Sequence, residues 1–361
     1  MIRALSLQRI QILLFLPAVL LTLISLVTLY AVDFSSFEHQ IIFFVAGIGV
    51  YVFFLNIDYR LFGVFAKQIY FFILFLLAII FVIGFEAKGA VRWIEIFGVS
   101  LQFSELLKPF FIIIFAHFLT QHEKHDLKTF LKALLILFPV FFLVLRQPDL
   151  GNAIIYAFVA ICMMFTYGFP LKYFVTLGIC TLLPLPVLFN LLHDYQKLRV
   201  YSFLNATSDP FGSSYNSIQA LISVGSGGMF GKGLGEGTQS VLRFLPERHT
   251  DFIFATIVES LGIFGAAIIM SLFIFLLFQI FKISLLAKDT FSYIIVIGMF
   301  FLILTHVFFN IGMNVGILPI VGITLPYVSA GGSSLITNFV ALSFLSSISY
   351  DQKRKKLMEI S

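Results

Sequence analysis

Charged residues are scarce in this sequence. Only 11% of its 361 residues are Asp, Glu, Lys or Arg, whereas 60% are hydrophobic and the mean hydropathy is +1.04. Soluble domains carry about 25% charged residues, so a soluble chain of this length would lack the polar surface needed to cover its core. The scarcity of charge therefore excludes an ordinary soluble protein and indicates a chain whose solvent is the lipid bilayer.

Residues that build several familiar sites are also few. The sequence has one Trp and two cysteines, and Cys162 and Cys180 both lie inside apolar runs. They are expected to be small buried hydrophobes rather than a disulfide or metal ligands. A zinc signature, a G-x-S-x-G elbow and a Walker phosphate loop are absent from the sequence. The sequence therefore predicts no protein-built metal site.

Ten apolar runs long enough to span a bilayer follow one another along the chain. They fall near residues 10–31, 39–56, 67–84, 103–120, 130–145, 150–167, 173–191, 251–281, 291–314 and 332–349. The first run lacks the small-residue cleavage site of a signal peptide and is expected to remain as a span. We therefore expect an all-α integral membrane protein with about ten transmembrane helices, as a single polytopic domain over residues 1–361. A long outer segment, 192–250, joins the seventh predicted helix to the eighth.

The positions of Lys and Arg predict how the chain crosses the membrane. With the N-terminus in the cytoplasm, 14 of the 23 basic residues fall on the cytoplasmic side, and the short outer loops keep only Lys88, Arg92 and Arg146. Cytoplasmic loops carry such an excess of basic residues. Both termini are thus predicted to be inside, and the net charge of +5 reflects this topology rather than a nucleic-acid partner.

The predicted outer segments contain most of the polar chemistry of the chain. Arg92 beside Trp93 fits either an interfacial anchor or a substrate contact. Glu105 and Lys108 are three residues apart and share a helix face at the start of an apolar span. Ionisable groups in such a place usually face a partner or a cavity, so a structural ion pair and a substrate role are both open for them.

Two further outer turns contain candidate ligand contacts. Asp149 lies at or near a helix N-terminus, where it can cap free N–H groups, and a bridge from Asp149 to Lys108 is an additional hypothesis. Segment 315–331 is expected to line a cavity, because irregular backbone at membrane depth needs protein or water around it. Ser329 and Ser333 near its end are candidates to donate to a ligand or to bond back to the helix.

The long outer segment is rich in glycine. Eight glycines lie between positions 212 and 237, and such loops can bring backbone N–H groups close to phosphate. Lys232, Gln239, Arg243 and Arg248 lie among or just after these glycines. Together the glycines and the basic and amide side chains predict an anionic ligand.

The eighth apolar run, 251–281, is longer than a bilayer requires. Its 31 residues would form a helix about 46 Å long against a hydrocarbon core of about 30 Å, so its first turns must tilt, project or line a cavity. His249, Thr250 and Asp251 lie where the run begins. Thr250 or Asp251 fits a helix N-cap, and Asp251, an acid at a wet boundary near Lys and Arg, also fits a general base.

Six motifs follow one another in the outer segments. They are GAVRWI at 89–94, QFSELLK at 102–108, QPDLG at 147–151, the signature GSGG, GKG and GTQ between 225 and 239, LPERHTDF at 245–252, and NIGM followed by SAGGSS between 310 and 334. In this order they resemble the SEDS family (shape, elongation, division and sporulation). The wording PERHTDFIFA and NIGM resembles the elongation branch, RodA, whereas TLP at 324–326 resembles the division branch, FtsW; we expect the elongation branch. The sequence departs from the family pattern at Phe103, Ser260, Thr324 and Ala330.

The resemblance implies a peptidoglycan glycosyltransferase of the bacterial inner membrane that polymerises lipid II on the periplasmic side with a class B penicillin-binding protein. Asp251 would be the essential carboxylate, the general base that deprotonates the acceptor sugar's 4-hydroxyl in an inverting transfer. Arg92, Lys108, Arg199 and Arg248 would be candidates to hold the pyrophosphate that leaves, and a divalent cation, Mg²⁺ or Mn²⁺, is a further candidate for that task.

Two other functions fit the same composition. A lipid II flippase or transporter would use the acids and bases to line a translocation path, and a scaffold would recruit its transpeptidase without chemistry of its own. For the glycosyltransferase, the predicted substrate contacts are Arg92, Glu105, Lys108, Asp149, Arg199, Lys232, Gln239, Arg248, His249, Ser329 and Ser333.

Overall fold

The computed structural model describes residues 11–87, 90–96, 99–183, 197 and 214–360. Arg199 and the other residues of 184–213 apart from 197 lie outside the described part. In chain order the described elements are α1 (Ile12–Val32), α2 (Phe34–Leu55), α3 (Arg60–Val64), α4 (Ala66–Ile83), β1 (Phe85–Ala87), β2 (Ala90–Ile96), β3 (Val99–Leu101), α5 (Phe103–Leu106), α6 (Lys108–Thr120), α7 (Leu127–Arg146), α8 (Leu150–Tyr167), α9 (Leu171–Leu182), α10 (Tyr215–Ser226), α11 (Thr238–Val241), α12 (Ile253–Leu286), α13 (Thr290–Asn314) and α14 (Gly332–Ile360).

The predicted helical membrane fold is confirmed, with a difference in the number of long spans. Eight described helices are long and apolar enough to cross a membrane, namely α1, α2, α4, α7, α8, α12, α13 and α14. The other two predicted spans coincide with α6 and α9, which have 13 and 12 residues. A straight crossing needs about 20 residues, so α6, which directly follows α5, and the described part of α9 are each shorter than a full span.

Aspartates begin three of these helices. Asp126, Asp149 and Asp289 are the N-cap residues of α7, α8 and α13, and each carboxylate accepts a hydrogen bond from a backbone N–H three residues later. The first N–H groups of a helix have no partner within the helix, so an Asp at this position satisfies one of them. The capping interpretation of Asp149 is therefore confirmed.

The two C-terminal helices form the centre of the bundle. In their most apolar 18-residue stretches, 89% of α14 and 67% of α13 are buried, against 22% of α2 and α4. Close packing against α14 is possible at Gly47 of α2, where an added Cβ would lie 2.5 Å from the ring of Phe339. The remaining helices therefore surround α13 and α14 and turn many large apolar side chains towards lipid.

A small antiparallel sheet, which the sequence did not predict, precedes α5. Its strands are ordered β1–β2–β3, and β2 pairs Ile94 with Leu101 and Glu95 with Ser100. Strand edges need water or protein partners for their backbone groups, so such a sheet is compatible with a position beyond the hydrocarbon core. The sheet places Arg92, on β2, above the turn that begins α8.

The predicted long span 251–281 is broken at Gly262. Its φ of 68° and ψ of −163° are not helical. The amides of residues 232–233 donate to the carbonyls of 259–260 at 2.9 and 3.1 Å, and the amides of 263–264 donate to the carbonyls of 228–229 at 2.9 and 3.3 Å. The glycine-rich loop thus satisfies backbone groups that the break releases, as burial away from water requires.

Several loops meet at one end of the bundle, which we call the outer end. His249 lies 3.4 Å from Asp33, Gln102 donates its amide to Ser333, and Ser329 donates to the carbonyl of Thr250. The outer end therefore comprises the α1–α2 turn, the sheet, the α7–α8 turn, the glycine-rich loop and residues 315–331. The opposite end comprises the turns before α3, α7, α9 and α13.

Candidate active site

Asp251 lies in a tight turn just before α12. The amides of Thr250 and Phe252 both donate to the carbonyl of Glu247 at 3.1 Å, and Glu247 adopts a positive φ of 52°. The helix begins at Ile253 with Phe252 at the N-cap position. Neither Thr250 nor Asp251 is therefore the N-cap, and the capping alternative for these two residues is wrong. The side chain of Asp251 is partly exposed.

Two asparagines of α13 fix the backbone of Asp251. Asn310 and Asn314 donate to its carbonyl at 3.0 and 2.9 Å, and the side-chain oxygen of Asn314 accepts the amide of Ala255 at 3.0 Å. Asn310 also donates to the carbonyl of Ile323 at 2.8 Å. Both asparagines are fully buried. The turn that presents Asp251 is thus held against segment 315–331 by two buried side-chain amides.

Segment 315–331 comes close to the carboxylate itself at Gly322. A Cβ built on Gly322 would lie 3.7 Å from Oδ2 of Asp251, and the φ of Gly322 is +69°. Glycine is the residue that adopts this φ without strain. The backbone can therefore turn beside Asp251 without placing a side chain over the carboxylate.

A cavity of about 200 Å³ opens next to this turn. It is lined by His249 and Thr250, by the start of α2, including His39 and Gln40, and by residues 330–332. Asp251 itself does not line the cavity, but it directly follows two residues that do. The cavity is a polar recess beside the candidate base.

Asp149 is the centre of a buried polar cluster. Its carboxylate, 2% exposed, accepts from the side chains of Gln102, Ser104 and Asn152, and Arg92 lies 3.7 Å from its second oxygen. The hypothesis of a bridge from Asp149 to Lys108 is wrong, because Arg92 is the cation that pairs with Asp149 in the structure. The side chain of Arg92 keeps 23% of its surface exposed.

Lys108 belongs to a second buried group. Its ammonium donates to Glu105 at 2.7 Å and lies 3.0 Å from Nε2 of His306, while Nδ1 of His306 lies 3.1 Å from the carbonyl of Thr324. A carbonyl only accepts, so Nδ1 carries the proton and Nε2 accepts from Lys108. The i,i+3 pair expected from sequence is therefore formed, and His306 extends it to segment 315–331.

Helix α13 connects this group to Asp251. His306 and Asn310 are four residues apart, about 6 Å along the helix axis, and therefore lie on the same face. His306 bonds to Thr324, and Asn310 bonds to both Ile323 and Asp251. A displacement of α13 or of residues 322–324 would consequently move Lys108 and Asp251 together.

Lys232 and Gln239 serve the glycine-rich loop. The buried carboxylate of Glu259 accepts from the ammonium of Lys232 at 3.3 Å and from the amides of Gln239 and Ser240 at 2.9 and 3.0 Å. Lys232 also donates to Thr238 at 2.9 Å. The charge of Lys232 is thus partly compensated within the protein, so these contacts assign Lys232 a loop-holding role. The side-chain oxygen of Gln239 is buried without a partner among the described residues.

Arg248 and His249 lie on the other side of the Asp251 turn. Burial lowers the pKa of Arg248, the charge of Asp33 opposes this effect, and Arg243 adds to it. Nε of Arg248 is buried and finds no hydrogen-bond partner in the described part of the chain. His249 pairs with Asp33 at 3.4 Å and lines the cavity. Both residues therefore remain candidates for substrate contact.

The two predicted serine donors are used within the fold. Ser329 donates to the carbonyl of Thr250 at 2.8 Å and accepts the amide of Leu325 at 2.7 Å. Ser333 accepts the amide of Gln102 at 2.9 Å and is 2% exposed. Ser329 has thus used its one proton within the protein, and Ser333 is an acceptor inside the bundle, so a ligand role for these hydroxyls stays a prediction.

The described residues contain no cluster of potential metal ligands. No three His, Cys, Asp or Glu side chains come together there in a way that would hold an ion. The divalent cation stays a prediction, and the carboxylates of Asp149 and Glu259 already have hydrogen-bonding partners from the protein.

Three buried polar residues of α13 were not predicted. His306, Asn310 and Asn314 follow at spacings of four and so form a polar stripe on one face of an otherwise apolar helix. Polar side chains inside a span are costly and generally have a partner in the bundle. Their spacing was the signal that could have identified them from the sequence.

With this geometry described, the relationship to known proteins can be stated. Residues 4–354 match the profile of the FtsW/RodA/SpoVE family, described as "Cell cycle protein". The chain belongs to this family. The SEDS resemblance of the sequence motifs is thereby confirmed.

Two relatives and one solved structure represent the FtsW/RodA/SpoVE family. The chain is 37% identical over 350 residues to the peptidoglycan glycosyltransferase MrdB of Escherichia coli (strain K12), covering 93% of this chain and 94% of that protein. It is 34% identical over 362 residues to the probable peptidoglycan glycosyltransferase FtsW of Geobacter sulfurreducens (strain DL-1 / KN400), covering 95% and 96%. Its fold matches a chain from "Structural coordination of polymerization and crosslinking by a peptidoglycan synthase complex" with a TM-score of 0.82 and 26% identity, covering 94% and 97%.

Proposed function

We propose that this chain is a peptidoglycan glycosyltransferase that polymerises lipid II and that Asp251 is its general base. The observation that carries the proposal is the presentation of one partly exposed carboxylate on a turn fixed by two buried asparagines. A base must be held within hydrogen-bond reach of the proton that it removes, and small displacements cost large factors in rate. Membership in a family with relatives named peptidoglycan glycosyltransferase supports the same reaction.

Unsatisfied polar atoms at the outer end support a polar, anionic substrate. Nε of Arg92 and Nε of Arg248 are buried without a hydrogen-bond partner among the described residues. Buried polar atoms in native proteins are nearly always paired, so a concentration of unpaired ones calls for an explanation such as a ligand. A sugar and a pyrophosphate supply the hydroxyls and oxygens that these atoms lack.

The proposed reaction is an inverting transfer. The carboxylate of Asp251 takes the proton of the acceptor sugar's 4-hydroxyl, and that oxygen forms a bond to the anomeric carbon of the donor. The bond from this carbon to the pyrophosphate oxygen breaks, and undecaprenyl pyrophosphate leaves with the electron pair. Positive charge at the leaving group stabilises the developing negative charge.

Among the cationic candidates, the contacts favour Arg92 and Arg248 for the pyrophosphate. Each keeps a guanidinium nitrogen without a partner in the described part of the protein. Lys108 is 1% exposed and directs its ammonium to Glu105 and His306. We assign Lys108 the positioning of segment 315–331 through His306, so its effect on the reaction is indirect. Arg199 lies outside the described residues.

The membrane arrangement and partner follow from the same proposal. The eight long apolar helices make the chain a membrane protein. We assign both termini to the cytoplasm on the distribution of basic residues, so that the outer end with Asp251 faces the periplasm. We further propose an elongation role beside a class B penicillin-binding protein; the structural relative comes from a peptidoglycan synthase complex.

The decisive experiment is glycan synthesis from lipid II by the purified full chain together with its transpeptidase. Asp251→Asn should lower synthesis by about 10²–10⁴-fold, the usual contribution of a general base. Glu236→Gln is the matched control, since it removes an exposed acid of the outer end that holds no described catalytic contact, and it should synthesise glycan at the wild-type rate. Wild-type synthesis by Asp251→Asn would refute the assignment of the base.

A second measurement separates the polymerase from a lipid transporter. Labelled lipid II is placed in one leaflet of vesicles that contain the protein, and its appearance in the other leaflet is followed beside glycan synthesis. Polymer formation that depends on Asp251 supports the glycosyltransferase. Movement of lipid without polymer would overturn the proposal in favour of a flippase.

A further inference from the structure

A cavity of about 510 Å³ lies at the end of the bundle opposite Asp251. It is lined by α3, by the start of α4, by the end of α6 and the two residues after it, and by Ile136 of α7. Ligand pockets in proteins usually measure about 300–1,000 Å³, so the space is large enough for part of a lipid-sized molecule. The proposed glycosyltransferase reaction does not use this cavity, because Asp251 and its partners lie at the outer end.

The lining of the cavity changes from apolar to polar along two helices. On α6, Ile114 is followed by His117, about 4.5 Å further along the axis, and His122 comes just after the helix ends at Thr120. On α4, Lys67 is in the first turn and Phe71 lies about one turn further along the helix, towards the middle of the bundle axis. Apolar surface inside and polar groups at the rim are the arrangement that an amphiphile requires.

The rim carries positive charge without compensation. Lys67 is exposed and forms no hydrogen bond or ion pair with any residue in the described ranges. The described residues that line the cavity include His117 and His122 but no Asp or Glu. Nδ1 of His122 lies 2.9 Å from the carbonyl of Phe118 and therefore carries a proton, which in the neutral ring leaves Nε2 as a hydrogen-bond acceptor; the positive charge at the rim is therefore that of Lys67.

The cavity also faces the surface where lipid lies. Val64 and Phe71, two of its lining residues, are 71% and 58% exposed. Large apolar side chains with such exposure on a membrane protein are in contact with acyl chains. A lipid can therefore enter sideways from the bilayer, with its headgroup remaining beside Lys67.

We propose that this cavity binds an anionic phospholipid, with one acyl chain between α4 and α6 and the phosphate at Lys67. Basic pockets between transmembrane helices bind anionic headgroups, and a single Lys near the membrane surface contributes about 1 kcal/mol. With the proposed topology the lipid belongs to the cytoplasmic leaflet. The site would make the packing of α3, α4 and α6 depend on the lipid composition of the membrane.

The test is a titration of the purified full chain in detergent with phosphatidylglycerol or phosphatidylcholine, followed by native mass spectrometry. Phosphatidylglycerol should be retained in preference to phosphatidylcholine. Lys67→Gln should weaken the retention of phosphatidylglycerol about fivefold, which corresponds to the loss of one headgroup charge. Lys67→Arg should retain wild-type binding because the charge is kept.

Lys172→Gln is the matched control, since it removes an exposed charge in the first turn of α9 at the same end of the bundle but outside the cavity. It should leave retention unchanged. An equal loss in Lys172→Gln and Lys67→Gln would overturn the proposal in favour of general surface charge. Competition by inorganic phosphate as strong as that by the lipid would also overturn it, because the acyl chain would then contribute nothing. A melting temperature of Lys67→Gln equal to wild type in phosphatidylcholine excludes a folding defect.

Discussion

At the end of the bundle opposite Asp251, polar side chains cap regular helices. At the outer end, polar side chains form hydrogen bonds to backbone that is not part of a long helix. Asp126 and Asp289 cap α7 and α13, and Arg60, the first residue of α3, pairs with Asp351 of α14 at 3.3 Å. At the outer end, by contrast, Asn310 and Glu259 bond mainly to loop carbonyls and amides.

This difference separates segments whose polar residues only stabilise the fold from segments whose polar residues also position a catalytic group. A helix needs little more than its caps and an apolar face. A turn that holds a catalytic carboxylate needs a partner for every backbone group that a helix would have satisfied. Substitutions that remove these backbone contacts at the outer end should therefore affect both stability and glycan synthesis, whereas those at the opposite end should affect stability alone and by less.

The largest effect is expected at the break in α12. In Gly262→Ala the added Cβ would lie 2.4 Å from the amide of Gly231 and the carbonyl of Met229, at a φ of +68°. Backbone cannot retreat as a flexible side chain can, and this region of φ and ψ alone costs an L residue about 1–3 kcal/mol. We expect a loss of more than about 3 kcal/mol in unfolding free energy, or failure to accumulate as folded protein.

Gly178→Ala provides the control for this substitution. Gly178 lies in α9 with nothing within 4 Å of its added Cβ, so Ala should be neutral or stabilising by up to about 1 kcal/mol. Thermal unfolding in detergent compares the two variants. Equal melting temperatures for both would mean that the break at Gly262 is not needed for the fold.

The second effect concerns the link between α13 and Asp251. Asn310→Ala removes the donors to the carbonyls of Asp251 and Ile323 and should cost about 2–3 kcal/mol, since a buried acceptor is left without a partner. A displaced base should also lower the turnover number by about 10–100-fold. Unfolding and lipid II polymerisation are measured on the same preparation.

Asn56→Ala is the corresponding change at the opposite end. The amide of Asn56 donates to the carbonyl of Val52 one turn earlier in its own helix. Its removal should cost about 1 kcal/mol and leave polymerisation unchanged. If Asn310→Ala lost stability but kept its turnover number, Asn310 would have a structural role only. The two ends of the bundle would then not differ in their effect on glycan synthesis.

The sequence predicted most of the regular structure and part of the site for a common reason. Apolar runs, an Asp after Pro148 and the spacing of Glu105 and Lys108 act over a few residues, so local pattern was enough to place spans, a cap and an ion pair. The polar stripe at 306, 310 and 314 was equally local and could have been found by its spacing.

Features that depend on contacts between segments far apart in the sequence could not be predicted from local patterns. The break at Gly262 exists because loop residues about 30 positions earlier bond to its free backbone groups. Asp149 pairs with Arg92, rather than Lys108, because a small sheet brings β2 over the α7–α8 turn. Ser329 looked available in the sequence, but its proton is used by Thr250, whose position is fixed only in the folded chain.

A smaller effect is expected where the glycine-rich loop meets α12. Glu259→Gln keeps the volume and one acceptor oxygen but loses the charge opposite Lys232 and an acceptor for the amide of Gln239 or Ser240. The unfolding free energy should fall by about 1–2 kcal/mol, and the loop 228–240 should become more sensitive to protease.

In Lys232→Gln the loss of unfolding free energy should be below about 1 kcal/mol, because Lys232 is 30% exposed. A greater loss from Lys232→Gln than from Glu259→Gln would reverse the roles assigned to the pair.

The smallest effect is expected at the opposite end, and it should depend on pH. Burial raises the pKa of Asp289, but hydrogen bonds from Ser292 and Gln352 and the charge of Arg60 outweigh this, so the pKa lies below its ordinary value of 3.8. A carboxyl group with a depressed pKa stabilises the fold above its unfolded pKa and loses that contribution as pH falls through the folded value. Asp289→Asn should therefore cost about 1 kcal/mol at neutral pH, the usual value of a cap, and the difference from wild type should shrink as the pH is lowered below about 4. Thermal unfolding of both proteins across this range measures it. A stability difference between the two proteins that stays constant at all pH values would show that the hydrogen-bond geometry of the cap, rather than its charge, stabilises the helix. Loss of polymerisation by Asp289→Asn at neutral pH would show that this end of the bundle also contributes to the reaction at Asp251.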